Sequence, residues 1–141
     1  MSELTTAIQK FFAGYESANA AFDVDRIADC YADVFLFGGP QGVQSIKKDD
    51  FVKVLPRRKD FFRSVGLVSS KVDELEVAPL DARYNLVKVF WKMRFESATR
   101  GPIESQNSAS YILSATADSF QIVVQLDHQD LRKKVQESGL K

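Results

Sequence analysis

Apolar residues step by three and four from Leu4 through Ala7, Ile8, Phe11, Phe12, Tyr15 and Ala18 to Phe22. On a helix that spacing gathers them into one stripe. Glu3, Lys10, Glu16 and Ser17 fall on the opposite side. Gly14 weakens such a helix by about 1 kcal/mol against alanine, which a packed stripe can offset. Asp23 can cap a second, short helix, whose inner face would carry Val24, Ile27, Ala28 and Tyr31. A short strand over 34–37 and a loop over 38–42 follow, because two glycines and Pro40 punctuate the chain there. Asp49 or Asp50 can cap a third helix with Phe51, Val54, Leu55, Phe61, Phe62 and Val65 near one face. Pro56 lies inside that pattern and predicts a kink or two short helices, and Gly66 is a suitable stop.

From there the period changes to two. A strand over 72–77 leads to a turn at Pro79, Leu80 and Asp81. Over 86–96, Val87, Val89, Trp91, Met93 and Phe95 point one way, and Lys88, Lys92, Arg94 and Glu96 the other. A turn at Arg100, Gly101 and Pro102 precedes a strand over 106–114, with Ala109, Tyr111 and Leu113 on one side. Over 120–128 the alternation places Phe120, Ile122, Val124, Leu126 and His128 together, opposite Gln121, Val123, Gln125 and Asp127. Residues 130–136 read as a charged terminal turn or tail. Three long strands joined by short turns make an antiparallel meander. Helices first and strands afterwards predict an α+β fold: a curved antiparallel sheet wrapped around N-terminal helices, with an aromatic hollow between them.

Composition narrows what such a fold can do. The 141 residues fit one domain over 1–141, long enough to bury a core without staples. Eleven phenylalanines predict a wide, apolar interior. The formal net charge of zero gives no field to attract nucleic acid or an acidic membrane. One cysteine, Cys30, excludes an internal disulfide, and with one histidine it excludes a Cys/His zinc site within the chain. Gly38 and Gly39 lack the lysine and hydroxyl of a phosphate loop. No cofactor is called for. No basic leader followed by an apolar run opens the chain and no stretch is apolar enough to span a bilayer, so a cytoplasmic protein is expected.

The stretch from Phe22-Asp23-Val24-Asp25-Arg26-Ile27-Ala28 to Tyr31-Ala32-Asp33, followed by a strand and Pro40-Gln41-Gly42, resembles the nuclear transport factor 2-like superfamily. That group includes the ketosteroid isomerases and the SnoaL-type cyclases. The resemblance implies a cystatin-like cone in which helices close a pocket against a bent sheet, and it implies homodimers. It places Tyr15 at the isomerases' oxyanion-binding tyrosine and Tyr31 at a supporting aromatic position. Their catalytic base, immediately before Pro40, is Gly39 here, and their second oxyanion donor falls near Ala109 or Ser110. A base and one donor are therefore missing, which argues against that isomerisation as such.

Candidate residues follow. Tyr15 is a core tyrosine or a hydroxyl that polarises a ligand oxygen. His128 carries the one imidazole, the side chain whose ordinary titration falls near neutral pH; by parity it faces inward as a proton shuttle, and Asp130 can orient its ring. The competing reading is an exposed strand-end histidine. Tyr31, Phe35, Phe37, Phe62, Trp91, Met93 and Tyr111 are the expected walls of the pocket, the deepest of them as core. Arg57, Arg58, Lys59 and Arg63 form a solvated helix face or an anion site. Cys30 lies beside Asp29, whose charge disfavours a thiolate. Two functions fit: binding of a small apolar molecule, cyclic or carbonyl-bearing, with or without a cofactor-free proton shuffle at Tyr15 and His128; or a non-catalytic homodimeric assembly domain that pairs through its outer sheet face.

Overall fold

The computed structural model describes residues 3–97 and 101–129. Helix α1 (Glu3–Ala21) buries Ile8, Phe12, Tyr15 and Ala18 of the predicted stripe, with Leu4 and Phe11 half-buried beside them, whereas Ala7 is exposed. Helix α2 (Val24–Asp29) is capped by Asp23, whose side chain accepts the Arg26 N–H. Tyr31, expected on that helix, instead opens strand β1 (Tyr31–Gly39). The expected loop at 38–42 is a tight hairpin, and it leads into a strand the sequence pattern did not reveal, β2 (Gly42–Lys47). Helix α3 (Lys48–Ser64) runs unbroken through Pro56 and has Lys47 at its N-cap, two residues before Asp49 and three before Asp50; both aspartates sit in its first turn, where the helix dipole favours a negative charge. Strands β3 (Leu67–Pro79), β4 (Tyr84–Ser97), β5 (Gly101–Ala115) and β6 (Phe120–Asp127) complete the chain. The tail at 130–136, Asp130 and Arg100 lie outside the described residues.

The six strands form one sheet in the order β2-β1-β6-β5-β4-β3. All pairs are antiparallel except β1 with β6, which run parallel. The fold is thus α+β, with three helices against a mostly antiparallel sheet. The inner face of β5 contributes Asn107, Ala109, Tyr111 and Leu113, and that of β4 Val87, Val89, Met93 and Phe95. They pack against α1 and α3 in one principal core, with Val65, Met93 and Phe95 forming a second, smaller one near the end of α3.

One departure reshapes the interior. Ile112 on β5 faces Val124, yet the next residue, Leu113, faces Ile122, so Val123 is an extra residue in β6. A bulge of this kind reverses which side chains point inward beyond it. Ile122 and Gln125 are buried, three positions apart rather than two or four. Strict alternation put Val124, Leu126 and His128 inside; the bulge turns them to the outer face and brings Gln125 and Asp127 in. His128 is exposed, and its Nε2 lies 2.6 Å from Ser110 Oγ on that outer face.

Candidate functional site

Gln125 can be oriented from its neighbours. A carboxylate only accepts hydrogen bonds, so the Gln125 nitrogen, Nε2, is the atom that donates to Asp127 Oδ1, at 3.3 Å. Its oxygen, Oε1, then accepts the Tyr31 hydroxyl at 2.5 Å. With its single hydrogen committed there, Tyr31 can only accept from Tyr15, whose hydroxyl lies 2.8 Å away. The resulting chain runs Tyr15 to Tyr31 to Gln125, and Gln125 in turn donates to Asp127. It crosses from α1 through β1 to β6. Trp91 Nε1 donates separately to the Tyr111 hydroxyl at 3.2 Å. Burial pushes the Tyr15 phenol up, and pushes the Tyr31 and Tyr111 phenols well up. All three stay protonated at neutral pH, and Tyr15 and Tyr31 act as fixed donors.

The far end of this chain meets open space. A cavity of about 590 Å³ lies between α3 and the β1–β2 hairpin. Its walls include Phe37, Ile46, Phe51, Val54, Phe61 and Phe62, with Gly38, Gly39, Pro40 and Gln41 at the hairpin. Polar groups are few and placed on opposite sides: Asp127 and Gln129 at the end of β6, Arg57 and Arg58 on α3, and Gln44 on β2. A volume of that size, with aromatic and aliphatic walls, falls within the range of small-molecule sites.

Asp127 occupies a telling position in the sheet. Gly38 pairs with Leu126, which sets Gly39 beside Asp127, and a Cβ on Gly39 would lie 3.6 Å from the Asp127 carbonyl oxygen. On the other side Asp127 pairs directly with Ala109. Gly39 is the position at which the resemblance expects a base, and Ala109 one of the two, with Ser110, at which it expects an acidic donor. Both hold small residues, and the strand between them presents a carboxylate to the cavity.

The expected wall residues divide. Phe37 and Phe62 line the cavity. Tyr31, Phe35 and Tyr111 are at most 2% exposed and belong to the principal core, with Trp91 packed against it; Met93 belongs to the smaller core. Tyr15 is 8% exposed, has its hydrogen on Tyr31, and is not among the cavity-lining residues. His128 is on the opposite face of the sheet from the cavity. Missed were Gln125 and Asp127, both read as outer-face residues, and Gln129. A signal was present: Ile122, Val123 and Val124 are three consecutive apolar residues in a strand that otherwise alternates, the mark of an inserted residue.

The model of the NTF2-like protein family DUF6841 matches residues 2–130. No curated protein matches the sequence. Among solved structures, an NTF2-like protein from Shewanella oneidensis superimposes with a TM-score of 0.69 at 14% identity, covering 89% of this chain and 98% of that one. Aln2 from a Streptomyces species gives 0.73 at 13% identity, covering 95% and 96%. A protein from Catenulispora acidiphila, solved in complex with S-DNPA, gives 0.74 at 13% identity, covering 95% and 98%. At these identities the likeness is one of fold.

Proposed function

Since the chain belongs to the NTF2-like protein family DUF6841, we propose that it binds a small, ring-bearing, mainly apolar molecule in the cavity between α3 and the β1–β2 hairpin, and that Asp127 moves a proton on it. The observation that carries this reading is the cavity of about 590 Å³ into which the Asp127 carboxylate is turned by a one-residue bulge. A similar fold holding S-DNPA supports the binding half.

Asp127 is half-buried and held by the Gln125 amide, so one carboxylate oxygen is fixed and the other is left for the ligand. The chemistry that suits it is cofactor-free: removal of a proton from carbon next to a carbonyl, with the electron pair moving onto oxygen, and return of the proton elsewhere. Isomerisation, cyclisation and dehydration share that step. Tyr15 and Tyr31 act here as positioning residues, because their hydrogens orient Gln125 and, through it, Asp127.

The test uses β-tetralone, a fused-ring ketone with exchangeable hydrogens beside its carbonyl. We expect it to shift the amide resonances of Phe37, Phe62 and Asp127, and its deuterium exchange in heavy water to be faster with the protein than without. Asp127→Asn should lower that acceleration by about 100-fold or more while binding persists. Absence of any shift at the cavity residues rejects the binding reading; exchange undiminished in Asp127→Asn rejects the proton-transfer role.

A second reading rests on a different surface. Leu36, Val124, Ile112 and Leu86 are in register across β1, β6, β5 and β4, an apolar row on the outer face of the sheet. Leu36 is 43% and Leu86 37% exposed. A homodimer formed there would cover the row. Sedimentation equilibrium that returns only the monomer mass up to the highest soluble concentration disposes of that pairing.

A further inference from the structure

The inner face of α3 carries Phe51, Val54, Leu55, Arg58, Phe61 and Phe62, a spacing of three and four that forms one stripe. Arg58 holds a position in that stripe where the pattern asks for an apolar side chain. It and Arg57 both line the cavity. The Arg58 guanidinium lies 5.5 Å from the Phe62 ring centroid, a stacking contact that holds its plane beside an aromatic wall. Among the described residues neither arginine is in an ion pair. The pairs there are Lys48–Asp33, Lys53–Asp50 and Arg94–Glu96. The nearest sequence carboxylate, Asp60, is not paired with them, and Asp127 on the facing wall is held by Gln125. The cavity is therefore bipolar: two adjacent like charges on the helix wall, one carboxylate on the strand wall, and aromatic rings between.

Two like charges lining one wall of a cavity disfavour each other. An oxyanion between them removes the repulsion, and guanidinium forks match its geometry with paired hydrogen bonds. Placed at that wall, the anion also keeps away from Asp127 and leaves the ligand's ring spanning the aromatic middle toward the carboxylate.

We propose that Arg57 and Arg58 form an oxyanion subsite of this cavity, so that the molecule bound is a flat, ring-bearing monoanion such as an aromatic carboxylate or sulfonate. The inference deepens the proposed function and rests on its cavity.

Two probes that share a ring system separate the two claims. Anilinonaphthalenesulfonate carries an anionic group; phenylnaphthylamine is the same framework without it. Both brighten on entering an apolar site, so fluorescence titration gives each affinity. In the wild-type chain the sulfonate should bind about tenfold tighter or more, the factor that 1.4 kcal/mol makes, and its affinity should fall with added salt. The double variant Arg57→Gln/Arg58→Gln should bring the sulfonate to the level of the neutral probe measured in that same variant. Val54→Trp, which fills the cavity from α3, should weaken both. Equal wild-type affinities, or a sulfonate preference that survives in the double variant, overturn the subsite while the cavity reading stands. Binding of neither probe, or binding untouched by Val54→Trp, removes the cavity and the subsite together.

Discussion

Tyr31 carries more of the polar core than its single hydroxyl suggests. It donates to Gln125 and accepts from Tyr15, and it is 1% exposed. Tyr31→Phe leaves Gln125 Oε1 without its donor and the Tyr15 hydrogen without its acceptor. We expect a loss of about 1–3 kcal/mol, the cost of leaving buried polar groups unmatched. Tyr15→Phe removes only the first donor, and Tyr31 still satisfies Gln125, so the loss should be smaller, about 0.5–1.5 kcal/mol. Urea unfolding of the two variants orders them; equal losses, or the reverse order, contradict the direction assigned to the chain. At this scale the sequence was informative about identity and blind to partners. Tyr15 and Tyr31 stood out by spacing and resemblance, but a glutamine 94 positions away from Tyr31 cannot be paired with it from periodicity alone. Cys30 was read more directly. Burial, then the neighbouring Asp29, pushes its thiol up to about 11, as its place beside that aspartate suggested.

Elements were legible where one period runs long enough to be unambiguous. Helix α1 and strand β4 match their patterns because a stripe of eight apolar positions and five alternating ones leave no second solution. Strand β2 escaped because Gly42–Lys47 is exposed or half-exposed throughout and carries no clear alternation. The end of α3 was read correctly from one residue. Gly66 has a φ of +85°, its N–H bonds to the Arg63 carbonyl, and its own carbonyl accepts the Glu96 N–H at 2.8 Å. A Cβ there would meet the Glu96 carbonyl oxygen at 2.1 Å, so backbone would have to move. Gly66→Ala should therefore destabilise by more than the roughly 1 kcal/mol of a relaxed left-handed site. A thermal melt within error of wild type argues against this tight approach of β4 to the helix end. Tyr31 was assigned to the wrong element because a helix face and a strand start both accept an aromatic residue four positions after Ile27.

For the whole molecule, the tyrosine cluster predicts where alkaline unfolding sets in. Tyr15, Tyr31 and Tyr111 belong to one core and are raised above their ordinary value of 10.0 by burial. A group whose folded pKa is raised keeps its proton in the native state after the unfolded chain has lost it. Above the unfolded value the native state binds more protons, so stability falls with rising pH. The contribution is whole below about pH 10 and is lost above it. Denaturant midpoints followed from neutral pH upward should bend downward there, and phenolate absorbance from these three rings should appear together with unfolding. Their titration in a still-folded chain would contradict the buried cluster. The α+β class, the helices-first order and the aromatic interior were all legible at this scale. The position of the open space was not: it lies at the hairpin and α3, while most rings expected around it close the core.

Val123 gives the site an unusual susceptibility to register. Any substitution at the mouth alters one side chain. Drawing this residue into regular pairing with β5 would instead invert every later side chain of the last strand at once, withdrawing a carboxylate from the proposed ligand's reach and offering an imidazole in its place. One strand thus holds two proton-transfer groups on its opposite faces, and a slip of a single residue decides which of them turns toward the interior.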